Sequence, residues 1–254
     1  MRPDMFAEIC NKLIAENTGG AVKFKAKNNT YWLKSAGENK DNFVRRFFAF
    51  LANYEALSFF DIKATWSSIE RIQHEKNVLH HLNEKKFAAP QIEYDGDGFF
   101  VTKDNGIPLN SVDQERINQS TIDDLFTLIL DLHSHKIAHG RPALRDIIID
   151  ENNALKLLDY EEAIIDPTDQ KMARDILILL LELNDLTSIT EDQKINSLLV
   201  WKEKTSDEIW LQLIKLSKLV QSVVCLAHLV QFFKKRNRLS LQIIKTVKLM
   251  KKVS

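Results

Sequence analysis

Hydrophobic positions recur along this chain in two rhythms. Residues 21–36, "AVKFKAKNNTYWLKSA", alternate apolar and polar on either side of "KNN", the pattern of two strands folded back at a turn. Residues 67–86, "SSIERIQHEKNVLHHLNEKK", repeat every three to four residues instead. Ile69, Ile72, Leu79 and Leu82 predict a helix there, with Ser67 or Ser68 as its cap. Between them lies "FVRRFFAFLANYEALSFFDI" (43–62), rich in Phe and expected to be helical. "APQIEYDGDGFFVTKDNG" (89–106) reads as two strands joined at "DGDG".

After Gly106 the helical rhythm dominates. "TIDDLFTLILDLHSHKI" (121–137) places Ile122, Leu125, Ile129 and Leu132 on one face. Two short apolar strands follow, "DIII" and "ALKLLDY", separated by the turn "DENN", and residues 169–254 read as mostly helical. The stretch 219–233 is strongly apolar but interrupted by Gln221, Ser222, His228 and Gln231, which suits a buried or interfacial helix. No apolar run reaches about 18 residues, so no membrane-spanning helix is predicted. The N-terminus carries acids and amphipathic spacing and does not read as a signal peptide. The expected fold class is α+β: one strand-rich part and one larger helical part, with a strand–turn–strand at the junction.

Composition narrows this little. Of 254 residues 44% are hydrophobic and 28% charged, so one sizeable core is expected. Lys+Arg and Asp+Glu both number 35, and the net charge excludes no partner. Cys10 and Cys225 are the two cysteines; they lack metal-ligand spacing and suit a reducing, cytoplasmic compartment. The charge is unevenly spread. From Lys234 onward there are eight Lys or Arg and no acid. In this tail, 232–254, Leu239, Ile243, Val247 and Met250 share a helical spacing, while Lys245, Lys248 and Lys252 fill another face. Such a helix suits an anionic membrane surface or partner, or is a solvated terminal helix. No nucleic-acid reading module is present, and no nucleic-acid partner is expected.

Candidate chemistry concentrates in "IAHGRPALRDIIIDENNALKLLDYEEA" (137–163). His139-Gly140-Arg141, then Asp146, then Asp159-Tyr160-Glu161 follow in order, with Asp146 and Asp159 flanking the two short strands. Two carboxylates at the ends of a hairpin-like unit can meet at one hard cation such as Mg²⁺. The alternative is an ordinary hairpin with solvated acids. His80, His81, His133 and His135 fall on helix faces without metal-ligand spacing.

These motifs, in this order, resemble the protein-kinase-like fold over residues 15–185. The match is nearest to the small bacterial sugar and lipopolysaccharide kinases (the Kdo kinase-like family), with aminoglycoside phosphotransferases more distant. The resemblance implies a single two-lobed domain, with a small N-lobe over 1–105 and a C-lobe over 106–254. It implies ATP- and Mg²⁺-dependent transfer to a hydroxyl, on a glycan or glycolipid at the inner face of the cytoplasmic membrane. It makes Lys34 of "YWLK" the phosphate-holding lysine and Glu75 its helix partner, with Glu70 the weaker alternative. Gly19 and Gly20 stand where a phosphate loop belongs, although the G-x-G-x-x-G pattern is absent. "FFVTKDNGIPL" (99–109) resembles the adenine-holding strand and hinge. Asp146 and Asp159 become the Mg²⁺ ligands, His139 orients the loop, and Asp175 braces it from behind.

Arg141 departs from the pattern, because the family places an Asp base there and a guanidinium stays protonated. Three accounts remain open. Positioning and electrostatics suffice and Arg141 clamps a phosphate or an anionic substrate. Asp146 takes over as base. Or the chain is a pseudokinase that binds a nucleotide or partner without catalysis.

Overall fold

A computed structural model of the protein describes residues 3–17, 19–37, 66–104, 106–233 and 237–254. The Phe-rich stretch 43–62, expected to be helical, lies outside the described residues.

Alternation builds the first half. β1 (Gly20–Ala26) and β2 (Asn29–Ser35) pair antiparallel, turning at Lys27, which adopts φ 54. β3 (Ile92–Gly96) and β4 (Phe99–Lys103) form the second hairpin, and β4 pairs with β2 to give the order β1-β2-β4-β3. Side chains alternate between the faces of a strand. Phe24, Tyr31, Leu33, Phe99 and Val101 therefore share one face, which α1 (Pro3–Glu16) covers with Phe6 and Cys10. Phe6 packs edge-on against Tyr31 at 5.2 Å and stacks on Tyr94 at 5.6 Å. Fully burying side chains of this size is worth about 1.5–3 kcal/mol each. Lys34, one residue beyond Leu33, sits on the opposite face beside Phe100, its partner in register.

That opposite face meets α2 (Ser68–Glu84). Ser67 caps the helix reciprocally with Glu70: the Ser67 N–H donates to the Glu70 carboxylate at 2.7 Å. A cap of this kind contributes about 1 kcal/mol. The inward face carries Ile72, Val78, Leu79 and Leu82, but also Glu75 and Lys76. Ile69, expected on it, is 60% exposed. Lys76 reaches Asp95 at 2.9 Å.

The second half packs round α3 (Gln119–Ser134), capped by Asn118, with Ile122, Leu125, Ile129 and Leu132 all fully buried as the spacing predicts. β5 (Ile107–Pro108), β7 (Ile147–Ile149) and β8 (Leu155–Leu157) form a small sheet in the order β5-β7-β8. β6 (Ile137–Ala138) pairs with β9 (Ile164–Ile165). α4 (Asp169–Leu183) runs through the core, with α5 (Glu191–Lys204), α6 (Asp207–Ser222), α7 (Val224–Phe233) and α8 (Arg238–Val253) around it. The apolar stretch 219–233 is thus split between α6 and α7.

The basic tail becomes α8. Its Val247, Leu249 and Met250 are buried in the main core, and Lys248 and Lys252 both reach Glu191. Arg238, at its start, pairs with Glu182 and Asp185. The apolar stripe that the sequence offered to a membrane faces the protein's own interior. Among the described residues no helix is long and apolar enough to cross a membrane.

Candidate functional site

The loop after β6 is held from behind by one carboxylate. Asp175, fully buried on α4, accepts the His139 N–H at 2.7 Å and the Gly140 N–H at 2.9 Å. His133 of α3 also meets it, at 3.1 Å. Arg174 donates to the Gly140 carbonyl at 2.9 Å. Gly140 has φ +89, and a Cβ there would overlap the Glu162 carbonyl oxygen, so glycine is required on both counts.

His139 is 1% exposed and occupied at both ring nitrogens. Nε2 lies 2.8 Å from the Leu158 carbonyl and so carries the proton, while Nδ1 accepts the Arg141 N–H at 3.4 Å. Burial first, outweighing the pull of Asp175, lowers its pKa and keeps it neutral. A ring bonded at both nitrogens orients the loop.

Four charged side chains then converge across the two halves. The Lys34 ammonium lies 2.6 Å from Glu75 Oε2 and 2.7 Å from Asp159 Oδ1. Glu75 is buried, and its other oxygen accepts the Tyr160 N–H at 3.2 Å. Glu70, the alternative partner, is engaged in the helix cap. Arg141 Nη2 reaches Asp159 Oδ2 at 3.4 Å and Glu161 at 4.0 Å. Burial works against the Asp159 carboxylate, but the charge and hydrogen bond of Lys34, then Arg141, hold it well below the usual range. Burial likewise opposes the Lys34 ammonium, yet Glu75 and Asp159 keep it firmly protonated. Asp159 itself is left-handed (φ 62), a conformation that Asp tolerates better than most residues and that recurs at functional sites.

Asp146 immediately precedes β7, and its carbonyl accepts the Leu158 N–H at 2.7 Å, so it stands opposite the end of β8. It is 8% exposed, and its Oδ2 has no hydrogen-bond partner among the described residues. Burial, then the charge of Asp159, pushes its carboxyl up to about 7. An orphaned buried oxygen beside a second carboxylate fits a hard divalent cation. No group of three or more His, Cys, Asp or Glu is placed to hold a metal among the described residues. Phosphate oxygens and water would therefore complete the shell, as Mg²⁺ prefers.

Gly19 and Gly20 lead into β1 at the Lys34 end of the hairpin, Gly20 pairing with Ser35 and Ala21 with Lys34. Both have positive φ, and the space above Gly20 is open.

The structure thus brings Lys34, Glu75, Asp159, Arg141 and Asp146 together, with His139 and Asp175 behind them. Sequence reading passed over Arg174 and gave His133 no role. Their partners lie 34 and 42 residues away, and no local spacing signals them.

No family model matches the chain. An uncharacterized protein of Haemophilus influenzae is 26% identical over 165 residues, 62% of this chain and 60% of that protein. Among solved structures, WbdD matches with a TM-score of 0.50 and 12% identity, over 90% of this chain and 48% of WbdD. A second WbdD structure, described as a bifunctional kinase-methyltransferase, scores 0.48 at 13% identity, over 80% of this chain and 43% of that one. The Rio2 kinase of Chaetomium thermophilum, in an ADP/Mg²⁺-phosphoaspartate complex, scores 0.45 at 15% identity, over 87% and 76%. The chain spans less than half of WbdD. At such identity the WbdD match speaks for the fold: this chain has a protein-kinase-like α+β fold, a strand-rich lobe followed by a helical one.

Proposed function

We propose that the chain is an ATP- and Mg²⁺-dependent phosphotransferase that acts on a hydroxyl of a glycan or glycolipid. The observation that carries this reading is the Lys34 ammonium set between Glu75 and Asp159, with Arg141 and the orphaned Asp146 oxygen alongside. Phosphoryl transfer proceeds through a loose transition state, so positioning and positive charge do most of the work. Lys34, fixed by Glu75, would contact the nucleotide phosphates, with the backbone at Gly19 and Gly20 above them. Asp146 and Asp159 would hold Mg²⁺, which supplies positive charge at the phosphate oxygens. Arg141 would leave Asp159 to clamp the transferring phosphate, while His139 keeps the loop in place. The glycan acceptor follows from the likeness of the His139-Gly140 and Asp159-Tyr160-Glu161 motifs to the sugar kinases, as does a site of action at the cytoplasmic membrane face.

One observation favours the pseudokinase alternative: Arg141 stands at the base position and engages Asp159 itself.

Thermal unfolding with ATP, with and without Mg²⁺, tests the reading. Ligand at a hundredfold over its dissociation constant stabilises by about 2.7 kcal/mol. In a chain of this size that is roughly 5–10 °C. The expected result is a Mg²⁺-dependent shift that Asp159→Asn removes. The absence of any shift with ATP or GTP sinks the reading. Transfer that Arg141→Asp abolishes makes the arginine a working part; transfer that appears only in Arg141→Asp marks the native chain as a pseudokinase.

A further inference from the structure

Asp159 is the carboxylate on which the candidate metal site depends, and both of its oxygens are taken. Oδ1 accepts the Lys34 ammonium at 2.7 Å, and Oδ2 meets Arg141 Nη2 at 3.4 Å. The backbone is pinned on both sides of it. The Leu158 N–H donates to the Asp146 carbonyl at 2.7 Å, and the Tyr160 N–H to Glu75 at 3.2 Å. A metal ion can therefore reach Asp159 only if one of the two cations yields.

The two cations are held differently. Lys34 stands between two acids, 2.6 Å from Glu75 as well. Arg141 touches Asp159 through one nitrogen at a long distance, and Glu161 lies 4.0 Å from it. A guanidinium at its best forms two short parallel bonds to a carboxylate, so the Arg141 contact is the one that yields. The Arg141 backbone does not move with it. Its N–H donates to His139 Nδ1 at 3.4 Å, its carbonyl accepts the Ala143 N–H at 2.9 Å, and Gly140 just before it is held by Asp175. Release is a swing of the side chain alone, which is 34% exposed and has solvent to swing into.

A divalent cation arriving alone meets an Asp159 already neutralised by two positive charges, and an Asp146 whose Oδ1 faces Arg145 at 3.4 Å. Like charge opposes its entry, and Mg²⁺ gives up its water reluctantly. Nucleotide phosphates reverse the balance. They bring negative charge, and their oxygens match the guanidinium fork, which one carboxylate oxygen leaves half used.

We propose that Arg141 is a latch on the metal site: it occupies Asp159 in the resting chain, bars divalent cations on their own, and yields Oδ2 when nucleotide phosphates draw it off, so that nucleotide enters ahead of metal. The proposal rests on the phosphotransfer reading and adds an order of binding to it.

Mn²⁺, whose free ion gives an electron paramagnetic resonance signal, would be titrated against the full chain without nucleotide. Arg141→Gln should bind it about tenfold or more tightly than the native chain, the scale of one hydrogen bond to a charged group. Arg141→Met, a second neutral variant, carries the same expectation if the glutamine variant fails to fold. Arg141→Lys, which keeps the charge, should fall below both. Adding Asp159→Asn to Arg141→Gln should remove the gain. ADP, after correction for Mn²⁺ bound to it in solution, should tighten Mn²⁺ more on the native chain than on Arg141→Gln, and adenosine, which lacks phosphate, should tighten it on neither. Equal Mn²⁺ affinity in the native chain and the neutral variants overturns the proposal. So does a gain that survives Asp159→Asn or is matched by the lysine variant, equal tightening of both chains by ADP, or tightening by adenosine. An absent gain beside an intact ATP shift sinks the latch alone. A gain with no nucleotide shift in either chain sinks the phosphotransfer reading and, with it, the nucleotide as the release.

Discussion

A carboxyl group buried beside a second carboxylate holds its proton more tightly than one in water, and Asp146 is so placed. Unfolded, it titrates near about 4; folded, burial and then Asp159 push it up to about 7. Between those values the folded protein binds more protons than the unfolded chain, so stability falls as pH rises through that window and levels off above it. Glu75, raised to about 7 by burial despite Lys34, adds the same sign. Asp159, held low, acts only at acid pH below the ordinary carboxylate range. The metal-free protein should therefore show an unfolding midpoint that declines between pH 5 and 7.5 in scanning calorimetry, with a shallower decline in Asp146→Asn. His139, whose pKa burial lowers, acts with the opposite sign in the lower part of this range, so the variant carries the test: an unchanged slope in Asp146→Asn would refute the assignment. At this scale Lys34, Glu75, Asp146 and Asp159 were legible because short ordered motifs carry them. The pairing of Glu182 with Arg238 was not, because it forms only when α4 and α8 meet.

The loop that bears Arg141 is an irregular segment made rigid by a regular one. Two successive N–H groups, of His139 and Gly140, point at the single carboxylate of Asp175 on α4. Asp175→Asn keeps the shape but turns one acceptor into a donor facing an N–H. A buried donor left without a partner costs about 1–3 kcal/mol, more where a charge was involved. The variant should lose about 3 kcal/mol in denaturant unfolding and shift the backbone resonances of residues 138–146 and of His133, with the first turns of α3 little changed. Retained stability would mean that the brace is not structural. Periodicity read α3 well, because its inward positions from Ile122 to Leu132 are all apolar. On α2 it missed Glu75 and Lys76, which face inward to meet Lys34 and Asp95, because hydrophobic spacing treats every charge as outward. It likewise could not foresee the division of 219–233, or that the basic stripe of α8 would close on Glu191.

At the scale of the molecule, the described residues form two apolar interiors. The larger joins α2 to the helical half; the smaller lies under α1, on the reverse of the sheet that carries Lys34. The order of rhythms along the chain foretold the strand-rich and helical halves. Nothing in those rhythms told that α1 would cover the back of the sheet, because an amphipathic helix does not name its partner. The two cysteines divide between these settings. Cys10 is fully buried in the small interior, its thiol pushed up to about 11 by burial, and Cys225 is exposed. The thiolate is the species that attacks a disulfide reagent. The chain therefore carries its own clock for breathing: an aromatic disulfide should modify Cys225 at once and Cys10 only when α1 lifts from the sheet. Read by mass spectrometry, the slow phase measures that opening alone, with Cys225 as the internal reference. Nucleotide bound at Lys34, on the other side of a sheet one strand thick, should slow Cys10 severalfold and leave Cys225 untouched. Equal slowing of both would assign the effect to the reagent. No slowing of either would mean that the two faces of the sheet open independently.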